Sequence, residues 1–200
     1  MTTLAWPTLT IRPQRADWNL IAVTQTHESP LTGAVRTQAL PGAYWQCVLD
    51  YSHARAADVR TLWAFVARMQ GRAGRVAVPT FGNLAPRGVG GGTPLVKGGG
   101  QEGTSLLIDG CPASTTGWLL EGDLFQVGEY VHMLTGIATT NGAGETTLQF
   151  YPELRVPPAD NAPITIRNCT TRMMFMADQQ GTSYVPGPLT PFVLTLREAF

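Results

Sequence analysis

YWQCVLDYSHARAADVRTLWAFVARMQGRAGRVAVPTF, residues Tyr44 to Phe81, is the one stretch of the chain that reads as a helix, and it lies between two stretches that read as strands. Val59, Leu62, Trp63, Val66 and Met69 recur at helical spacing and mark one apolar face, with Asp58, Arg60, Thr61, Arg68 and Gln70 mostly on the other. Ser52 or Asp58 is positioned to cap the start. Gly71 and Gly74 supply the stop, and Arg68 and Arg72 suit the negative end of the dipole. Roughly 17 helical residues would span about 25 Å. An apolar stripe of that length, with strands on both sides, needs a sheet to cover, and the expectation is that this face, Trp63 included, packs on one.

Working outward toward the N-terminus, TLTIRP, WNLIAVTQ and GAVRTQAL alternate or carry β-branched residues. Pro13, Asp17, Ser29-Pro30 and Pro41-Gly42 are expected to break them into separate short strands. Trp6 and Trp18 read as core or edge-covering aromatics, with a role at an interface as the sharper alternative. Toward the C-terminus the composition changes at Asn83. Residues 84–103, LAPRGVGGGTPLVKGGGQEG, carry two Gly triplets and no periodicity, which reads as a flexible linker or exposed loop. No GK[ST] follows, so a phosphate loop is not implied.

From Thr104 to Arg167 only short strands are needed, and Asn141-Gly142 with Gly144 signals a hairpin between 137–140 and 146–150. Five or six short strands in this space suggest a small barrel or a compact sandwich, and the barrel is the reading taken here. Segments 171–177 and 191–196 read as two further strands, joined by a loop holding Gly181, Pro186, Gly187 and Pro188. The helix-bearing half needs them to complete its sheet. The fold class is therefore mainly β with one α-helix: a β-sandwich-like hub domain (1–83 and 168–200) and a small inserted β-barrel domain (104–167), joined through the 84–103 tract.

Chemistry is sparse. His27, His53 and His132 are isolated, and His132 reads as half-exposed on a strand. Neither HExxH nor any Cys cluster occurs, so no metal or other cofactor is expected. Cys47, Cys111 and Cys169 are widely spaced and read as reduced, mostly buried thiols, with a single disulfide as the alternative. Asp109, Glu121, Asp123, Glu129 and Glu145 are the acids a glycan hydrolase would draw on, but each lies beside Gly or at a strand end, where acids commonly serve turns. No catalytic residues are assigned. Arg60 and Arg68 could reach phosphates, yet without a helix-turn-helix partner they suit interface ion pairs better. Fourteen basic residues balance fourteen acidic ones, and only 14% of residues are charged against a usual ~25%. Such a surface does not attract nucleic acid or anionic membrane, and it suits a chain covered by its neighbours. MTTLAWPTL does not read as a leader and no run of 18 apolar residues occurs, so membrane insertion is not expected.

SPLTGAVRTQALPGAYWQCVL from Ser29, followed by LWAFVARMQGRAGRVAVP, resembles a pattern in tail proteins of long-tailed bacteriophages. Its parts are Ser29 with Gly33, the Pro41-Gly42 turn with Trp45 opening a strand, Leu62 to Phe65 inside the helix, and Gly71-x-x-Gly74 before a strand. TSLLIDG, GWLLEGDLFQVGEYVHMLTG and TTLQFYPELRVPPADNAPI resemble a small β-module of tail-tip proteins. The resemblance is to a distal tail protein, or a closely related minor tail or tail-tip ring protein. It implies a non-enzymatic virion structural protein, made in the host bacterial cytoplasm, that forms a homo-oligomeric, hexameric ring. Partners implied are the tail tube protein, tail-tip hub or fibre proteins, and DNA that passes without specific binding. An alternative is an accessory module whose barrel grips carbohydrate or a tail fibre through Trp118, Phe125 and Tyr130 on a common exposed face. A glycan or cell-wall hydrolase is a third.

Overall fold

The computed structural model describes residues 2–181 and 190–200; the proposed Pro186–Pro188 turn lies outside them. Among the described residues the protein is mainly β with one α-helix and two sheets, the second nearly barrel-shaped. The first sheet contains β1 (Thr3–Ala5), β2 (Arg15–Glu28), β3 (Val35–Asp50), β4 (Arg75–Pro79), β11 (Thr170–Phe175) and β12 (Val193–Glu198), in the order β1-β4-β11-β12-β3-β2. Only β1 and β4 run parallel. The two C-terminal strands thus sit at the centre of the sheet begun by the N-terminal ones.

One face of this sheet is apolar. Trp18, Trp45, Cys47, Leu49, Leu194, Leu196, Met173, Phe175, Val76 and Val78 belong to one core, and two covers close over it. The first is α1 (Ala56–Met69), which buries Asp58, Leu62, Phe65 and Met69. The expected face is kept at Leu62 and Met69 but rotated, with Asp58 and Phe65 inside and Trp63 outside. Trp63 is 39% exposed and meets the Phe192 ring edge-to-face, while Val59 and Val66 are partly buried. The helix is turned because Asp58 is satisfied inside: Thr10 donates its backbone N–H (2.9 Å) and its hydroxyl (2.6 Å) to the two carboxylate oxygens. Those bonds hold the carboxyl below the usual range. They also fix the N-terminal segment across the helix, where Trp6 packs on Phe65 and Phe81. Neither expected N-cap serves: Arg55 takes that position without a side-chain bond, and Gln70, left-handed at φ 52°, ends the helix.

The second cover comes from the other sheet. Its strands are β5 (Leu95–Val96), β6 (Ser105–Asp109), β7 (Leu124–Val127), β8 (Tyr130–Leu134), β9 (Thr146–Tyr151) and β10 (Ile164–Thr165), ordered β10-β7-β8-β9-β6-β5. The two end strands meet where Leu95 bridges Pro163 and Ile164 N–H reaches Pro94 O at 3.0 Å, nearly closing the barrel. Asn141 forms its turn, accepting from the N–H groups of Ala143 and Glu145, but residues 137–140 hold only an isolated bridge and not the expected hairpin strand. Inside lie Trp118, Phe125, Phe150, Leu106, Ile108 and Leu148.

The 84–103 tract is not the flexible linker its composition suggests. Leu95–Val96 is a strand of the second sheet, and Arg87 and Gly88 donate their N–H groups to Asp123. Gly90 N–H reaches Trp118 O at 2.8 Å. A Cβ at Gly88 would lie 2.5 Å from Trp118 O, so this glycine permits close backbone approach.

Candidate interaction surfaces

Two places concentrate what the chain offers a partner: a projecting ribbon and a cleft beside the junction of the sheets. The ribbon arises because β2 and β3 continue past the rest of the sheet. Pro41-Gly42 does not end the strand as expected. Pairing resumes beyond an irregularity between Ile21 and Val23 and runs from Val23–Leu40 to Glu28–Val35. Pro41 is tolerated because it falls in that irregularity, between the Tyr44 and Leu40 pairs, where it has no cross-strand partner. The six residue pairs extend about 20 Å. Residues 24–28 and 31–41 are all exposed, so neither face of the arm is covered. Its edges are open as well. β2 ends the sheet, and β12 pairs with β3 only from Gln46 to Asp50.

The tip is nonetheless ordered by its own bonds. Ser29 N–H reaches Ala34 O and Gly33 N–H reaches Ser29 O, both at 2.9 Å, with Gly33 left-handed at φ 65°. This turn holds Leu31 outward, 95% exposed.

At the other end the ribbon is deeply covered. Trp45 Nε1–H donates to Val131 O (3.1 Å), and Leu124, Val131 and Met133 of the second sheet pack into the first sheet's core. Glu198 is buried here. It accepts from Trp45 N–H and Thr171 Oγ1–H and pairs with the buried Arg155 guanidinium at 3.2 Å. Burial pushes its carboxyl up, and Arg155 and the two hydrogen bonds pull it part of the way back. Arg155 also lies over the Phe200 ring, 4.3 Å from its centroid. A second bridge joins Glu129 to Arg172 (2.7 Å) and to the Thr3 hydroxyl (2.6 Å).

Beside this junction opens a cleft of about 350 Å³. Its walls are largely apolar, from Tyr130, Leu154, Val156, Pro157 and Pro158, and Glu129 and Arg172 stand at its polar side. His132 also lines it. The expectation of a half-exposed histidine fails: the ring is 1% exposed, between Phe125 and Phe150. Its Nδ1–H donates to Pro152 O at 2.8 Å. That bond leaves Nε2 as the ring's acceptor nitrogen. Burial lowers the pKa to about 4, so the ring is neutral at physiological pH.

The residues singled out from sequence fall in different places. Trp118 and Phe125 are wholly buried in the second sheet's core and Tyr130 nearly so, its hydroxyl donating to Ala199 O. The common exposed aromatic face is therefore absent, because Trp118 and Phe125 fill the barrel and Tyr130 lies beside Phe200 at the cleft. Trp6 and Trp18 are partly buried on the first core, Trp18 edge-on to Trp45. Arg60 and Arg68 lie exposed on α1. Of the five acids, Asp123 is buried under three backbone N–H groups, Glu145 pairs with Lys97 and Asn141, and Glu129 binds Arg172. Among the described residues no group of three or more His, Cys, Asp or Glu is placed to hold a metal. Cys47, Cys111 and Cys169 are buried free thiols. What sequence reasoning missed is the arm. Its signal was the Thr- and Gln-rich alternation 23–28 and 35–40, which has no apolar face to bury.

No protein-family model matches the chain, and no curated protein matches it significantly.

Proposed function

We propose that this protein is a non-enzymatic structural subunit of a phage tail, a distal tail or closely related tail-tip ring protein that joins the tail tube to tail-tip components. The observation that carries the reading is the β2–β3 arm. A two-stranded ribbon with both faces in water and both edges open is marginal by itself. Open edges are also templates for pairing with another chain. Repeated contact between such an arm and a different surface of the next copy is heterologous, and it closes into a ring when the rotation fits. The low charge of the chain favours lateral contact between copies, and its zero net charge suits a channel through which DNA slides. The engagement of Asp123, Glu129 and Glu145 in local structural bonds favours this reading over a glycan hydrolase. Burial of Trp118, Phe125 and Tyr130 likewise weighs against carbohydrate stacking as the main role.

The test is electron microscopy and sedimentation of the purified chain. The expected result is an annulus, sixfold by the resemblance, that disappears when residues 23–40 are replaced by a short turn while the remainder stays folded. A persistent monomer would overturn the proposal.

A further inference from the structure

The ladder of the β2–β3 ribbon is interrupted at one step, and the cover over the ribbon ends at the same step. Ile21 pairs with Tyr44 and Val23 with Leu40, so Ala22 on β2 stands opposite Pro41, Gly42 and Ala43 on β3. Extra residues on one strand break the ladder and bend the ribbon locally. Ala43 is buried, whereas Pro41 and the residues before it back to Leu31 are exposed. Beyond the step the two strands of the arm pair only with each other among the described residues. A paired ladder on each side of an unpaired, uncovered step is the layout of a hinge, where a few residues take up the dihedral change.

The residues at the step fit that role. Gly42 has φ 104°, a value that glycine adopts without penalty, and nothing lies within 4 Å of the position its Cβ would take. Backbone conformation, and not crowding, therefore calls for glycine here. The root below the step is fixed, since Trp45 N–H donates to Glu198 and the Arg197 guanidinium lies over the Tyr44 ring. Among the described residues a single side-chain hydrogen bond ties the step to the body: Gly42 N–H donates to Glu153 Oε1 at 3.0 Å. Glu153 is held on both sides. Pro152 O accepts from His132, Leu154 N–H donates to Gly103 O at 2.9 Å, and Arg155 pairs with the buried Glu198. A carboxylate mounted on a fixed segment thus grips the pivot of the arm, through a bond stronger than one to a neutral acceptor.

We infer that Ala22 and Pro41–Ala43 form a hinge and that Glu153 is its catch. While the bond to Gly42 is made, the arm points in one direction from the body; when it opens, the arm turns as a paired unit about the step. In a ring subunit the catch sets the angle at which the arm meets the next copy. The inference goes beyond the ring-subunit reading and holds for a single chain.

The test uses the full chain, diluted until it sediments as single copies, with spin labels at Thr26→Cys on the arm and at Ile137→Cys, an exposed position on the second sheet's block. The native thiols stay unlabelled because burial pushes Cys47 up to about 12 and Cys111 and Cys169 up to about 11. The labelled pair should give one narrow distance distribution. Adding Glu153→Ala should widen it by at least about twofold, as a hinge without its catch samples more directions. Adding Glu153→Gln instead should keep it narrow, because the amide oxygen still accepts from Gly42 N–H. Amide hydrogen exchange in residues 24–28 and 35–40 should be the same with Glu153→Ala as without it. Equal widths with and without the Glu153 side chain would overturn the inference. So would faster exchange throughout the arm, which would mean that the arm melts and does not turn. A chain that never forms rings would overturn the ring reading and leave this one standing.

Discussion

The two halves of the β2–β3 ribbon share one ladder and differ in everything around it. From Ala43 to Asp50, β3 alternates buried and half-buried, with Trp45, Cys47 and Leu49 inside; from Val35 to Pro41 every residue is exposed. Hydrogen bonding between the strands is continuous apart from the irregularity at Ile21/Val23, so pairing alone does not separate a core strand from an arm. The difference lies in what is stacked on the face. The root lies under α1 and the second sheet, whereas beyond Pro41 neither reaches. A ribbon kept paired yet uncovered presents open edges, and these are what the proposed ring contact draws on.

Four experiments would break or sharpen this contrast, beginning with the largest effect. Trp45→Ala at the root should destabilise the fold by about 3–5 kcal/mol in denaturant unfolding, since it opens a cavity and orphans the carbonyl of Val131. A loss below about 1 kcal/mol would mean that the second sheet does not cover the root.

The cover itself should fail in acid. His132 is neutral when folded, with its pKa lowered to about 4 against 6.5 when free. Above pH 6.5 both states are neutral. As the pH falls from 6.5 to about 4 the unfolded chain takes up a proton that the folded one refuses, and stability should drop by about 3 kcal/mol. His132→Phe should flatten this dependence in a pH series of thermal melts; an unchanged slope would place its source elsewhere.

Trp63→Ala should cost only about 1 kcal/mol, the loss of a half-exposed ring and its edge contact with Phe192. A loss near that of Trp45→Ala would show that the helix is seated on the face the periodicity suggested. The smallest effect belongs to the arm. Thr26→Ala and Gln38→Ala, a residue on each exposed strand, should shift monomer stability by less than about 0.5 kcal/mol. A larger shift would mean that the arm folds back on its own body.

Much of the architecture was legible in the residues. Alternation in WNLIAV and YWQCVL, and helical spacing from Val59 to Met69, reflect the side-chain periods of strand and helix, which are local properties of the backbone. The helix's final rotation was not legible, because the burial of Asp58 depends on Thr10, 48 positions away. Nor was the fate of the 84–103 glycines. A glycine that allows backbone to touch backbone and one that merely loosens a chain have the same letter, and only the neighbour at Trp118 distinguishes them.

The sequence by itself determined that the chain is β-rich with one helix, low in charge and provided with strands at both ends, since each of these follows from composition and short-range pattern. Only the tertiary structure decided that the barrel's aromatics face inward, that His132 sits buried beside a cleft, and that residues 23–40 stand away from the body. Burial is a relation between distant segments, and no residue carries it alone.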